Sequence, residues 1–223
     1  SCSWKVSRAL LTPSSSASRS SLEALVAECQ DNLDAAGSYL DKRGIARATA
    51  EKFRLGVVPT DPSPELRPFI GRLAVPSYSR TGAESLRFKL MEGEGPKMLP
   101  LRTGDVTRIY WPHNLFEKTE VMAITEGEPD AWVAWQCGIP AVGVVGVNNW
   151  KKHHPRLFAG FSDVLVFGDN DEAGRKFAKT VVSDIPTARA VIVPAEGQDL
   201  NDYYLAQGGF NGGTEAVRDL GGL

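Results

Sequence analysis

Three acidic clusters carry the chemistry this sequence could perform. The first is Thr125-Glu126-Gly127-Glu128-Pro129-Asp130. The second is Phe167-Gly168-Asp169-Asn170-Asp171-Glu172-Ala173-Gly174, and the third is Gly197-Gln198-Asp199-Leu200-Asn201-Asp202. Asp130 lies four residues past Glu126, so both can face one cavity. Asp169 and Asp171 share parity in an extended segment, so their side chains leave on the same side. Carboxylates gathered in one place repel each other, and a divalent cation is the natural resolution. Magnesium takes oxygen ligands and keeps several waters, so one or two carboxylates per ion suffice. Two such ions can activate an attacking 3′ oxygen and stabilise a leaving pyrophosphate. Phosphoryl transfer asks for positioning and charge neutralisation more than for covalent catalysis. A single D-x-D is as readily a solvated turn, because Asp and Asn are turn formers. Three clusters after three successive strands weigh more than any one of them.

Those strands are legible from the apolar pattern. Val121–Thr125, Ala141–Val147, Asp163–Phe167 and Ala188–Val193 read as short buried strands. Between them Pro129–Cys137 (stopped by Gly138), a short turn near His153–Phe158, and the amphipathic Glu172–Ile185 read as helices, and Asn201–Ala206 opens a last one. Strand–helix alternation predicts a parallel sheet with helices on both faces. Such sheets place their sites past the carboxyl ends of strands, where the acidic clusters fall. The N-terminal half differs. Ser21–Gly44 has helical spacing (Leu22, Leu25, Val26, Cys29, Leu33), with Gly44 as a stop. Residues 46–53 predict another short helix. Leu55–Val58, Arg72–Pro76, Ser85–Leu90 and Thr107–Trp111 predict β-runs broken by turns such as Glu92-Gly93-Glu94-Gly95-Pro96. The expected fold class is therefore α/β, a parallel sheet flanked by helices, fused to a smaller N-terminal α+β basic subdomain. The expected division is a flexible segment 1–20, rich in Ser, a subdomain 21–118, a catalytic domain 119–207 and a tail 208–223.

Net charge is −2, but residues 1–118 carry 17 Lys and Arg against 13 Asp and Glu, while residues 119–223 carry 8 against 14. A basic half beside an acidic half fits a phosphate-tracking surface next to a cation site. The three cysteines, Cys2, Cys29 and Cys137, form no CxxC pair, and His113, His153 and His154 have no ligand spacing, so no zinc is expected in this chain. A reducing, cytoplasmic setting is the simpler reading. There is no apolar run of the roughly 18 residues a membrane span needs, and no membrane partner is expected.

The combination ITEGEPDAW and VLVFGDNDEAGRKFA, a strand ending in Glu-Gly with Asp four residues on, then a strand ending in Asp-x-Asp-x-Ala-Gly, resembles the Toprim pattern. PAEGQDLNDYYL resembles its third acidic segment. Upstream, YLDKRGIARATAEKFRLGVVP, FIGRLAVPSYSRTG, SLRFKL, GPKMLP and RIYWPHNL follow in the order of the RNA-polymerase domain of DnaG-type bacterial and phage primases. The resemblance covers about residues 36–207. It implies a primase core that joins ribonucleoside triphosphates on a single-stranded DNA template with Mg²⁺ or Mn²⁺, in a bacterial or phage-infected cell. It also implies a replicative helicase and a zinc-binding module elsewhere as partners.

Carried over, the resemblance gives Glu126 the proton-transfer role and a share in metal binding. Asp169 and Asp171 would ligate metal, and Asp130, Asp199 and Asp202 would complete the site. Arg72, Arg87, Lys89, Lys97 and Arg108 would line the groove for template and nucleotide, since Arg and Lys supply phosphate contacts. Tyr78, Phe88, Tyr110 and Trp111 are aromatics that could stack bases or pack the small sheet. Two other readings stay open: a Toprim-type metal-dependent nuclease, and a non-catalytic nucleic-acid-binding module.

Overall fold

A computed structural model describes residues 16–79, 81–105 and 108–223. The expected flexible segment therefore lies mostly outside the described residues, and its last part is helical, because α1 spans Ser16–Gln30. Two short helices follow, α2 (Gly37–Lys42) and α3 (Arg47–Lys52). Gly44 stops α2 with φ +61°, a conformation that favours glycine.

A four-stranded antiparallel sheet comes next, in the order β1 (Gly56–Val57), β2 (Leu73–Ser79), β3 (Gly82–Lys89), β4 (Met98–Pro100). Helix α1 packs across it. Two of its elements escape the sequence pattern: β4, and the 3₁₀ turn Pro64–Phe69.

The second sheet contains β5 (Ile109–Tyr110), β6 (Val121–Thr125), β7 (Ala141–Val144), β8 (Asp163–Gly168) and β9 (Ala188–Ile192) in the order β5-β7-β6-β8-β9. Strands β7, β6, β8 and β9 run parallel, and β5 closes one edge antiparallel to β7. Ile109–Tyr110, read with the small sheet because of their place in the chain, thus belong to the large one. Between the strands lie α4 (Glu128–Gln136) and α5 (Glu172–Asp184), followed by α6 (Leu200–Ala206). The stretch 208–223 is not a loose tail: α7 (Gly213–Leu220) packs on α6 and buries Val217.

Alternation along the strands divides the core. Met122 and Ile124 of β6 join Val164 and Val166 of β8 beneath α5, where Phe177, Ala178 and Val181 cover them. The intervening Ala123, Leu165 and Phe167 face the other way, with Ala131, Trp132, Val133 and Ala134 of α4. This period of two follows from the pleat. Helix α4 lies between the sheet and the N-terminal helices, and it buries Glu128 and Asp130 as well as the apolar Ala131–Ala134.

That second core is continuous with the N-terminal half through Phe53, Tyr110 and Trp111. The Trp132 indole N–H donates to the Tyr110 hydroxyl at 2.8 Å. Gln136 stitches the halves together: its Nε2 donates to the Gly44 carbonyl (2.8 Å), and its Oε1 accepts from the Ala46 N–H (2.7 Å) and the Thr49 hydroxyl (2.9 Å). A shared core and satisfied buried amides make the two halves one rigid support for a site between them.

Candidate metal and nucleotide site

Each acidic cluster is fixed by a backbone N–H. Strand β6 ends at Thr125, and the next residue, Glu126, accepts from the Asp169 N–H at 3.1 Å through Oε1. Asp171 caps α5, accepting from the Gly174 N–H at 2.7 Å. Asp199 caps α6, accepting from the Asp202 N–H at 2.7 Å. Asp130, buried on the first turn of α4, accepts from the Asn201 N–H at 3.1 Å. Asp and Glu at helix starts also complement the dipole.

These contacts draw the strand ends β6 and β8 and the start of α6 into one negatively charged hollow. Burial pushes the Glu126 carboxyl up to about 7, with the charges of Asp169 and Asp171 adding to the rise. Burial likewise raises Asp169 to about 6, helped by Asp199, Asp171 and Asp202. Asp130 is held well above the usual carboxylate range by burial and then by Asp199, Asp169 and Glu126. Asp199 is raised as well, chiefly by burial. Six carboxylates therefore feel one another, with Asp202 and Asp171 at the solvent side.

Hard oxygen donors under mutual repulsion fit a divalent cation. Among the described residues no three His, Cys, Asp or Glu side chains form a ready chelate. Magnesium does not need one, because it keeps waters and takes one or two carboxylates per ion.

The packing around Asp169 is tight. A Cβ at Gly174 would stand 2.2 Å from the Asp169 carbonyl oxygen and 2.6 Å from Glu126 Oε1. Glycine is the residue that allows α5 to begin so close to the Asp169 backbone and the Glu126 carboxylate.

Cations meet this hollow from the N-terminal side. Lys89 and Lys97 line one cavity of about 310 Å³ together with Tyr39 and Arg43. Burial lowers the Lys89 ammonium, while Glu128, Asp130 and Asp199 raise it, so it faces the acidic clusters. Arg87 and Arg108 line a second, smaller cavity with Ser77 and Ser85. Arg72 lines neither; its guanidinium donates to the Pro96 carbonyl at 2.9 Å.

Arg87 is not an open phosphate ligand, since it is committed to an ion pair with the buried carboxylate of Glu128. Arg108 is exposed and pairs with Glu84 at 2.8 Å. The aromatics offered for base stacking are interior: Phe88 stacks on Phe69, and Tyr78, Tyr110 and Trp111 are buried. His154 is likewise buried rather than a surface residue.

Three participants escaped the sequence reading. Arg43 and Asn201 exchange hydrogen bonds across the halves. The Tyr39 hydroxyl is buried beside Arg43, in the wall of the Lys89 cavity. Asn201 does stand within the third acidic cluster, which is the one signal that could have singled it out.

Residues 123–204 match the Toprim-like family. The chain is 38% identical over 143 residues to the Gene 57 protein of Mycobacterium phage D29, covering 62% of this chain and 93% of that one. Its fold is that of the DnaG catalytic core, with a TM-score of 0.71 at 20% identity over 90% of this chain and 79% of the other. A structure of the DnaG primase catalytic domain bound to ssDNA matches at a TM-score of 0.70 and 20% identity, over 90% and 80% of the two chains.

Proposed function

This chain belongs to the family of the phage Gene 57 protein, and with its DnaG-core fold as premise we propose that it is a primase-type nucleotidyltransferase acting on a single-stranded DNA template. The observation that carries the reading is the acidic hollow of Glu126, Asp130, Asp169 and Asp199 at the strand ends, faced by Lys89. A site that does phosphoryl transfer needs fixed charges more than a nucleophile of its own.

In this reading Asp169 and Asp171 hold Mg²⁺ or Mn²⁺ with Glu126, and Asp199 and Asp202 complete the set. Bound there, the cations would neutralise the triphosphate and the attacking 3′ oxygen. Glu126, with its carboxyl near neutrality, is suited to take the 3′-hydroxyl proton. Asp130 is one layer behind, gripping the Asn201 N–H, and keeps α6 and its Asp199 cap in place. Lys89 and Lys97 receive the triphosphate of the incoming nucleotide in the cavity they share. Single-stranded DNA as template is taken from the ssDNA-bound DnaG domain.

The test is synthesis from labelled ribonucleoside triphosphates on single-stranded DNA with Mg²⁺ or Mn²⁺. RNA products that vanish in Glu126→Gln and Asp169→Asn, with melting temperatures no lower than wild type, support the reading. Metal-dependent loss of the template without product, even on an annealed primer, overturns it in favour of a nuclease.

A further inference from the structure

The catalytic half is acidic, yet its cations are not scattered. Of the eight Lys and Arg in residues 119–223, six lie on two neighbouring segments: Lys151, Lys152 and Arg156 after β7, and Arg175, Lys176 and Lys179 on α5. The other two, Arg189 and Arg218, are tied to Asp163 and to the Cys137 carbonyl. Lys151, Lys152, Arg156, Lys176 and Lys179 are all exposed, and none is in an ion pair among the described residues.

Between the two segments lies a cavity of about 600 Å³ with Trp150, Phe177, Asn148 and Lys176 in its walls. Lys151 stands at its rim, its ammonium donating to the Asn148 carbonyl at 2.9 Å. Trp150 is fixed rather than loose. Its indole N–H donates to Asp184 at 2.8 Å, and its ring rests against His154 and Phe158. Glu172 and Ala173 also line the cavity, so it opens directly beside Asp171.

We propose that this cavity binds single-stranded DNA, taking one unpaired base against Trp150 with the flanking phosphates on Lys151 and Lys176. Charge complementarity selects a polyanion. An aromatic wall with the Lys176 ammonium in it and Lys151 at the rim selects one whose rings are exposed, because stacking on aromatics is how unpaired bases are held. A duplex hides those ring faces.

The site lies outside the nucleotide cavity described above, and the inference stands on binding alone. A chain that binds through this cavity but makes no primer would sink the primase reading and leave this one intact.

The experiment measures binding of a fluorescein-labelled dT 16-mer to the full chain over a salt series. Lys151→Glu with Lys176→Glu should weaken binding at least tenfold and flatten the salt dependence by about one phosphate contact per lysine. Trp150→Leu, which keeps the apolar wall, should weaken it severalfold, as loss of a stacking ring costs about 1–3 kcal/mol. Lys118→Glu, an exposed lysine elsewhere, makes half the charge change and should shift binding less than twofold. Thermal melts confirm that each variant is folded. If the double reversal does no more than twice what Lys118→Glu does, or if Trp150→Leu binds as wild type, the inference fails. It also fails if the variants lose affinity for free ATP while the 16-mer binds unchanged, which would make the cavity a mononucleotide site.

Discussion

Arg43 and Asn201 hold each other across the two halves of the molecule: the guanidinium donates to the Asn201 amide oxygen at 3.1 Å, and the amide nitrogen donates to the Arg43 carbonyl at 2.7 Å. The backbone N–H of the same asparagine donates to Asp130. Asn201 is fully buried, so its groups have no water to fall back on. Asn201→Ala should cost about 1–3 kcal/mol, the penalty for stranding buried polar partners. It should also reduce primer synthesis by tenfold or more, because the side-chain link to Arg43 ties the start of α6, and with it the Asp199 cap, to the N-terminal half, while the Asp130 contact, made to the backbone N–H, is kept. Chemical denaturation read beside the synthesis assay checks both. A variant with wild-type activity would mean that Asp199 keeps its place without this link.

Among the described residues Arg87 and Glu128 form the most enclosed ion pair, with side chains 14% and 5% exposed. Removing one member leaves an uncompensated buried charge, which costs about 3–5 kcal/mol. Arg87→Ala should therefore lower urea stability by that order. Arg108→Ala breaks a largely exposed pair with Glu84 and should cost under about 1 kcal/mol. Arg87→Met with Glu128→Gln should recover most of the loss. If Arg87→Ala is no worse than Arg108→Ala, Arg87 is free to serve as the groove cation that the sequence suggested.

Much of the catalytic half was legible because its strands are short apolar runs bracketed by glycine and acidic turn residues. Val121–Thr125 matches β6 residue for residue, and Glu172–Ile185 differs from α5 by one position. The edge strands β1, β5 and β9 fall within runs the sequence pattern shows, but the pairing of β5 and the strand β4 were not legible. β5 is two residues long and owes its place to β7, more than thirty residues on, and no local pattern encodes such a pairing. β4 ends in a proline that a strand pattern discounts. The acidic residues stood out because turns after strands displayed them in clusters. Arg43 did not, since its partner is 158 residues away. Spacing likewise could not tell that Arg87 is occupied by Glu128 while Lys89 and Lys97 share a cavity.

The raised carboxyls set a pH dependence of stability. Glu126 at about 7 and Asp169 at about 6 retain protons in the folded chain that the unfolded chain has already released. Between about pH 4 and pH 7 the native state thus binds more protons, and stability falls as pH rises through that window. With a chelator present, the melting temperature should be higher at pH 5.5 than at pH 8. Mg²⁺ or Mn²⁺ should narrow the difference, because a cation binds the ionised form. Asp169→Asn should flatten the profile in chelator. A melting temperature that rises from pH 5.5 to 8 without metal would contradict the mutual repulsion on which the cation site rests.

Gly174 bears on the same carboxylates through volume rather than charge. It is buried in the first turn of α5, facing the backbone of Asp169 and the carboxylate of Glu126. Adding a methyl there brings a carbon within 2.2 Å of the Asp169 carbonyl oxygen, which backbone cannot absorb without moving. Alanine is otherwise the better helix former, by about 1 kcal/mol over glycine, so helix propensity alone predicts that Gly174→Ala stabilises. The steric argument predicts the reverse, a lower melting temperature with synthesis reduced at least tenfold, since Asp169 and Glu126 must part. Gly160→Ala, at an exposed position with nothing within 4 Å of the new carbon, should leave synthesis unchanged. Should Gly174→Ala prove as active as Gly160→Ala, the close approach of α5 to the acidic hollow is not what sets its geometry.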